Sequence, residues 1–259
     1  RVLQSAGSPG VIVLRRLHSF GLGESHVDEL LSGIEALVPD GSLKLGFRAH
    51  YPQLETKLTI RAATREQALA KLAPVEAEVR RRVGNFILAT DDETLEGVVL
   101  VLLGQRGATL AVVENFTGGH LAARLAPLAG ADKMLARGTV ALTVPALLQA
   151  LPQLAPPDEL DGLTMEFAER AAEAARQQAR TSHGLALLCT VEGEGPNLTG
   201  SIVLGIAAPE GAVSRRTRLV GNRDWIRLGA AELGLDSLRR HLQGLPLQER
   251  IDFEKRPGQ

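Results

Sequence analysis

The stretch Ala111 to His120, AVVENFTGGH, brings together side chains and backbone groups that could do chemistry. A short apolar run reads as a buried strand that stops at Glu114-Asn115-Phe116-Thr117. After Gly118-Gly119, helical spacing resumes from Leu121 to Leu128. A strand that breaks at glycines and restarts as a helix aims backbone amides at one point, where the helix dipole also favours an anion. Glu114, Asn115, Thr117, Gly118 and Gly119 are therefore the candidate binding residues, lining the floor of a ligand pocket. The same letters also fit plain turn chemistry, because glycine between strand and helix supplies backbone angles that other residues avoid.

Other reactive residue types point to structural roles. Cys189 is the single cysteine and sits in the apolar run LALLCTV, which reads as a buried thiol and excludes an internal disulfide. The six histidines, His18, His26, His50, His120, His183 and His241, never fall at the i, i+4 spacing of a ligand pair, so no metal is expected. Asp91-Asp92-Glu93-Thr94 could be a carboxylate cluster, but it stands where a helix start wants acidic and capping residues.

The elements that position these residues follow from periodicity. Val11 to Phe20 reads as a strand. Ser25 with Asp28 resembles a capping box, and Val27, Leu30, Leu31, Ile34, Leu37 and Val38 then trace one amphipathic helix up to the Pro39-Asp40-Gly41 turn. Lys44 to Tyr51 and Glu55 to Ala62 form a hairpin around Pro52-Gln53-Leu54. Thr64 and Gln67 open a second helix along Ala68, Leu72, Val75, Val79 and Val83, which Pro74 should kink or delay. Phe86 to Ala89 closes a strand-helix-strand-strand-helix-strand unit, a ferredoxin-like or KH-like pattern.

Beyond it, Leu95 to Leu103 gives a buried helical face, and Thr109 to Val113 delivers the focal loop. Gly138 to Val144 reads as another buried strand, and Pro145 with LPQLAPPDEL as an irregular linker. Thr164 to Arg180 is an alanine-lined helix that suits close packing. Gly184 to Val191 and Ser201 to Ala207 are buried strands joined by a hairpin at Gly193 to Asn197. Val213 to Leu219 is an outer strand with Arg215, Arg216 and Arg218 exposed or partly so, and a last helix carries Ile226, Leu233 and Leu238 inward. The fold class is α/β (α+β): a small βαββαβ domain over residues 1–90, an α/β domain with a mixed sheet covered by helices over 91–243, and a loosely ordered polar tail over 244–259. Residues 1–10 read as a lead-in.

A chain of 259 residues that is 44% hydrophobic needs no disulfide support. Its formal net charge of -1 offers no global field for nucleic acid or acidic lipid. A KH-like pattern invites a search for a Gly-x-x-Gly clamp between helices. Gly104-Gln105-Arg106-Gly107 fits the letters but joins a helix to a strand, Arg80-Arg81-Arg82 ends a helix where cations suit the dipole, and 3% aromatic content leaves almost no stacking platform. Nucleic acid is not an expected partner. Neither a secretory signal nor a membrane span is visible, the longest strongly apolar run being Val98 to Leu103, so a cytoplasmic location is expected. The first residue, Arg1, suggests the back portion of a longer product.

Ala111 to Gly119 resembles the Ala-Glu-Ser-Cys-Thr-Gly-Gly signature of the CinA C-terminal family, the nicotinamide mononucleotide amidases. Asn115 stands at the position of the nucleophilic serine, Phe116 at that of the cysteine and Val113 at that of the alanine. The family's Tyr-Ser-Asn-x-x-Lys motif, whose tyrosine and lysine serve the nucleophile, lines up with Leu142 and Leu147. FGLGES at Phe20 to Ser25, the Tyr51-Pro52 turn and the run Leu58 to Ala62 resemble the small middle domain of CinA proteins. Gly221-Asn222-Arg223-Asp224, with Ile226 and Arg227, resembles the segment that opens the last helix. Cys189 to Gly193 departs from the family's glycine-rich loop.

The resemblance implies a nicotinamide-nucleotide amidase-type domain behind a KH-like one, a homodimer as the common assembly, and a front domain similar to molybdopterin-binding proteins, for which this chain has no room. It implies no cofactor. An alcohol needs a buried base to become a nucleophile, and neither leucine can act as one. The expectation is a catalytically degenerate domain that retains weak pyridine-nucleotide binding, regulation or assembly. The alternatives are an active amidase in which Glu114 activates water with help from His120, and a purely structural module whose pocket is filled by Phe116, Leu142 and Leu147.

Overall fold

The computed structural model describes residues 10–157 and 163–254. Residues 1–9 of the predicted lead-in over 1–10 and part of the proline-rich stretch fall outside them. The chain divides into two compact units, Arg1–Glu93 and Thr94–Gln259.

The first unit runs β1 (Val11–Phe20), α1 (Glu24–Leu30), a 3-10 turn (Ile34–Leu37), β2 (Leu43–His50), β3 (Gln53–Ala62), α2 (Arg65–Val83) and β4 (Ile87–Thr90). The sheet order is β2-β3-β1-β4 with every pairing antiparallel, the ferredoxin-like arrangement. Its register follows from period-two burial in β3, where Leu54, Thr56, Leu58 and Ile60 point inward. Against them lie Ala68, Leu72, Val75, Val79 and Val83 of α2. Thr64 caps that helix by accepting from the Gln67 amide at 3.3 Å. Pro74 neither delays nor interrupts it: five buried side chains on one face outweigh one missing backbone donor.

The first helix departs from expectation. Gly33 takes a left-handed φ of 75° and divides the predicted helix into α1 and the 3-10 turn, and Gly23 rather than Ser25 holds the N-cap position. Arg80, Arg81 and Arg82 pair with Glu76 and Glu78 at 2.6–2.8 Å. The acidic run at 91–93 also serves the first unit, with Asp91 accepting from the Arg16 amide at 2.9 Å and Asp92 pairing with the Arg16 guanidinium at 2.6 Å. Thr94 alone caps the following helix, through the Gly97 amide at 3.2 Å.

The second unit runs α3 (Leu95–Gln105), β5 (Leu110–Glu114), α4 (His120–Leu125), α5 (Ala131–Met134), β6 (Leu135–Val140), α6 (Val144–Ala150), α7 (Met165–Ala179), β7 (His183–Glu192), β8 (Leu198–Ala208), β9 (Gly211–Gly221) and α8 (Arg223–Gln243). Its mixed sheet has the order β6-β5-β7-β8-β9. β5 is parallel to both neighbours, while β7, β8 and β9 form an antiparallel meander whose first turn is the predicted hairpin. Side chains alternate between two covers: Ala186 and Leu188 face α7, whereas Leu187 lies against Gly234 of α8.

The alanine stripe of α7 exists because the helix lies almost on the strands. A Cβ on Gly184 would sit 2.0 Å from the Ala172 carbonyl oxygen, and one on Gly205 would sit 2.3 Å from that of Ala168. The Gly104-to-Gly107 letters lie at the end of α3, in this unit and not in the KH-like one.

Four expectations are corrected here. β6 spans Leu135–Val140 instead of 138–144 and is largely exposed, because it is the sheet's edge. Pro145 lies in the first turn of α6 behind a Thr143 cap instead of in a linker, where its missing backbone donor has no intrahelical partner to lose. Arg215 is 2% exposed, held by the Leu247 carbonyl at 2.8 Å and the Glu254 carboxylate at 2.5 Å. The tail is docked through residue 254: Ile251 is fully buried, Glu254 bridges to Leu219, and Glu249 pairs with Arg240 at 2.5 Å.

Candidate functional site

β5 is buried along its whole length between two parallel neighbours, so its C-terminal end opens where ligands bind in sheets of this kind. The chain leaves the sheet after Glu114 and turns through Gly118 and Gly119, whose φ values of 67° and 95° only glycine adopts readily. The five predicted binding residues lie together at this turn, and the side chains of Glu114, Asn115 and Thr117 are already engaged.

Glu114 is fully buried. Its carboxylate accepts from the Thr117 hydroxyl at 2.6 Å, the Leu121 amide at 3.0 Å and the Ala122 amide at 3.1 Å. The orphan amides at the start of α4, which the sequence offered to a ligand, are thus filled by the chain's own carboxylate. An anion at that spot would meet a buried negative charge.

Asn115 is held just as firmly. Its Oδ1 accepts from the Cys189 amide at 2.9 Å and the Phe116 amide at 2.5 Å, and its Nδ2 donates to the Cys189 carbonyl at 3.0 Å. The parallel ladder between β5 and β7 ends at Glu114 opposite Leu187. Two residues further along β7 the Asn115 amide supplies the donor and acceptor that a strand backbone would have supplied. Cys189 is buried, and burial pushes its thiol up to about 12.

The two leucines at the partner positions part company. Leu142 is 70% exposed just beyond β6, whereas Leu147 on α6 is buried in the core with Ala111, Val113 and Leu151. Phe116 lies beneath the Arg223 guanidinium, 5.1 Å from the ring centroid. Leu142 therefore cannot belong to an apolar plug. The chain's one tyrosine is Tyr51, in the first unit, and among the described residues from 94 onward Lys133, exposed on α5, is the one lysine.

What borders the loop is cationic. Arg223 and Arg227 sit one turn apart on the first turns of α8. The His120 ring is held below its ordinary range by partial burial and then by Arg227 and Arg124, against the opposing pull of Glu114 and Glu96. Arg227 also meets Asp224 at 3.3 Å. In the sequence this segment reads only as a helix opening. Two arginines at i, i+4 directly behind an N-cap asparagine were the signal for a charged face.

Residues 92–242 match the family model described as the CinA C-terminal domain, and residues 14–89 match that of the damage-inducible protein CinA KH domain. A CinA-like protein of Frankia casuarinae is 37% identical over 253 residues, covering 96% of this chain and 58% of that protein. One from Myxococcus xanthus is 32% identical over 240 residues, covering 90% and 56%. The chain thus spans a little over half the length of the curated relatives it matches. Among solved structures, the competence-damaged protein (CinA) superfamily protein from Enterobacter cloacae aligns with a TM-score of 0.52 at 17% identity, over 59% of this chain and 95% of that one. At that identity the likeness speaks for the fold alone. With its KH and C-terminal models matched in order, the chain belongs to the CinA family.

Proposed function

We propose that the second unit is a CinA C-terminal domain without serine-type amidase chemistry, kept for binding a pyridine nucleotide such as nicotinamide mononucleotide, or for regulation or assembly through that binding. The observation that carries this reading is the double hydrogen bond between the Asn115 amide and the Cys189 backbone. A side chain that completes a sheet ladder is not available to attack a carbonyl, and an amide nitrogen is a poor nucleophile even when released. The binding half rests on Phe116, Arg223 and Arg227, which offer an aromatic ring and positive charge to a base and a phosphate.

Calorimetric titration of the purified chain with nicotinamide mononucleotide tests the binding half. Weak one-site binding that disappears in an Arg223→Ala, Arg227→Ala double variant is expected. Absence of heat from the unsubstituted chain, or binding indifferent to the double substitution, would contradict it.

A further inference from the structure

At the end of the second sheet opposite the focal loop, three side chains of metal-ligand type converge from elements far apart in sequence. His183 opens β7, Glu210 lies in the turn between β8 and β9, and His241 stands in the last turn of α8. One ligand atom from each lies within 4.8 Å of the others. Between His183 and Cys189 the strand advances six residues, which at about 3.3 Å per residue separates this cluster from the loop by roughly 20 Å. Nothing proposed for Asn115 or Arg223 bears on it.

One pair of the three already stands at the separation of two ligands on one ion. His241 Nε2 and Glu210 Oε1 are 3.3 Å apart. Two ligands at about 2.0–2.1 Å in a tetrahedral shell are separated by about 3.3–3.4 Å. The His183 and His241 rings meet edge to face, with centroids 5.9 Å apart.

The surroundings also hold the His183 ring. Ser182 Oγ, which accepts from the Thr109 amide at 2.8 Å and lies 3.0 Å from the Thr109 carbonyl, is 2.8 Å from His183 Nδ1. A hydrogen bond on Nδ1 is the usual outer support of a histidine that binds a metal through Nε2. The cations nearby are committed: Arg106 donates to the Leu242 carbonyl, and Arg176 pairs with Glu173 at 2.7 Å.

We propose that His183, Glu210 and His241 bind a divalent transition-metal ion of borderline softness, zinc above all, with water at the exposed fourth position. Two imidazoles and one carboxylate suit such an ion better than magnesium or calcium, which take oxygen ligands. The ion would join the start of β7, the β8–β9 turn and the end of α8. Its role is that of a clip on the fold, since it lies away from the focal loop.

The test is titration of the full chain, stripped with chelator and dialysed, with zinc chloride alone. One equivalent bound at micromolar affinity or tighter is expected, together with a rise in the thermal midpoint. Cobalt(II) should give the visible absorption of a low-coordinate site, bleached by zinc. Glu210→Gln, an exposed substitution that leaves packing intact, should weaken binding at least tenfold, as should His241→Ala. His26→Ala and His50→Ala, at exposed positions of the first unit, should leave it unchanged. Absence of stoichiometric binding, full affinity in Glu210→Gln and His241→Ala, or loss of binding in the His26 or His50 variants would each overturn the proposal.

Discussion

At the scale of single residues, the focal loop is a set of polar groups turned inward. Glu114 caps α4 and Asn115 extends the sheet, so both serve the fold before any ligand arrives. Asn115→Ala would leave the Cys189 amide and carbonyl without partners in a buried setting and should cost about 1–3 kcal/mol of stability, read as a lower urea midpoint with an unchanged slope. An unchanged midpoint would show that the clamp contributes nothing. Cys189 should resist a thiol reagent at pH 8, because its thiol sits near 12, and should react as one equivalent once the chain is unfolded in guanidinium. Rapid reaction in the folded protein would contradict its burial.

The residue types of the loop were plain in the sequence, but their orientation was not. Sequence shows a glutamate before two glycines. Only the fold shows that the carboxylate curls back to the amides at Leu121 and Ala122. Likewise Leu142 and Leu147 looked alike as replacements in one pocket, while an edge strand exposes the first and α6 buries the second.

Elements with strong periodicity were legible. β1, the β2–β3 hairpin, α2, α7 and the β7–β8 hairpin all stand where alternation or helical spacing put them, within a residue or two at most ends. The departures share a cause: local pattern cannot say whether an apolar run is covered. β6 is apolar enough to suggest burial yet lies at the sheet edge. Arg215 alternates like a surface residue yet is enclosed by the docked tail. Histidine spacing along the chain likewise could not reveal that His183 and His241 meet.

The α7 interface gives a direct test at this scale. Gly184→Ala places a methyl group into the Ala172 carbonyl, where backbone must move, so a loss of more than about 2 kcal/mol is expected by chemical denaturation. Tolerance of alanine there would mean that α7 stands further from the strands.

At the scale of the whole molecule, two compact units each enclose a buried cluster of their own. We propose them as separate domains, with the residues after 243 belonging to the second. Residues 94–259 expressed alone should unfold in one cooperative thermal transition. A molten or aggregated product would contradict that division. Among the described residues no helix is long and apolar enough to cross a membrane. The matched family models account for the order of the units.

The proposed loss of the amidase reaction is decided by measuring ammonia and nicotinate mononucleotide formed from nicotinamide mononucleotide, with the purified chain and its Asn115→Ala variant side by side. No product above the protein-free blank is predicted from either. Sustained turnover by the unsubstituted chain that the variant abolishes would contradict the claim and make Asn115 part of a working active site.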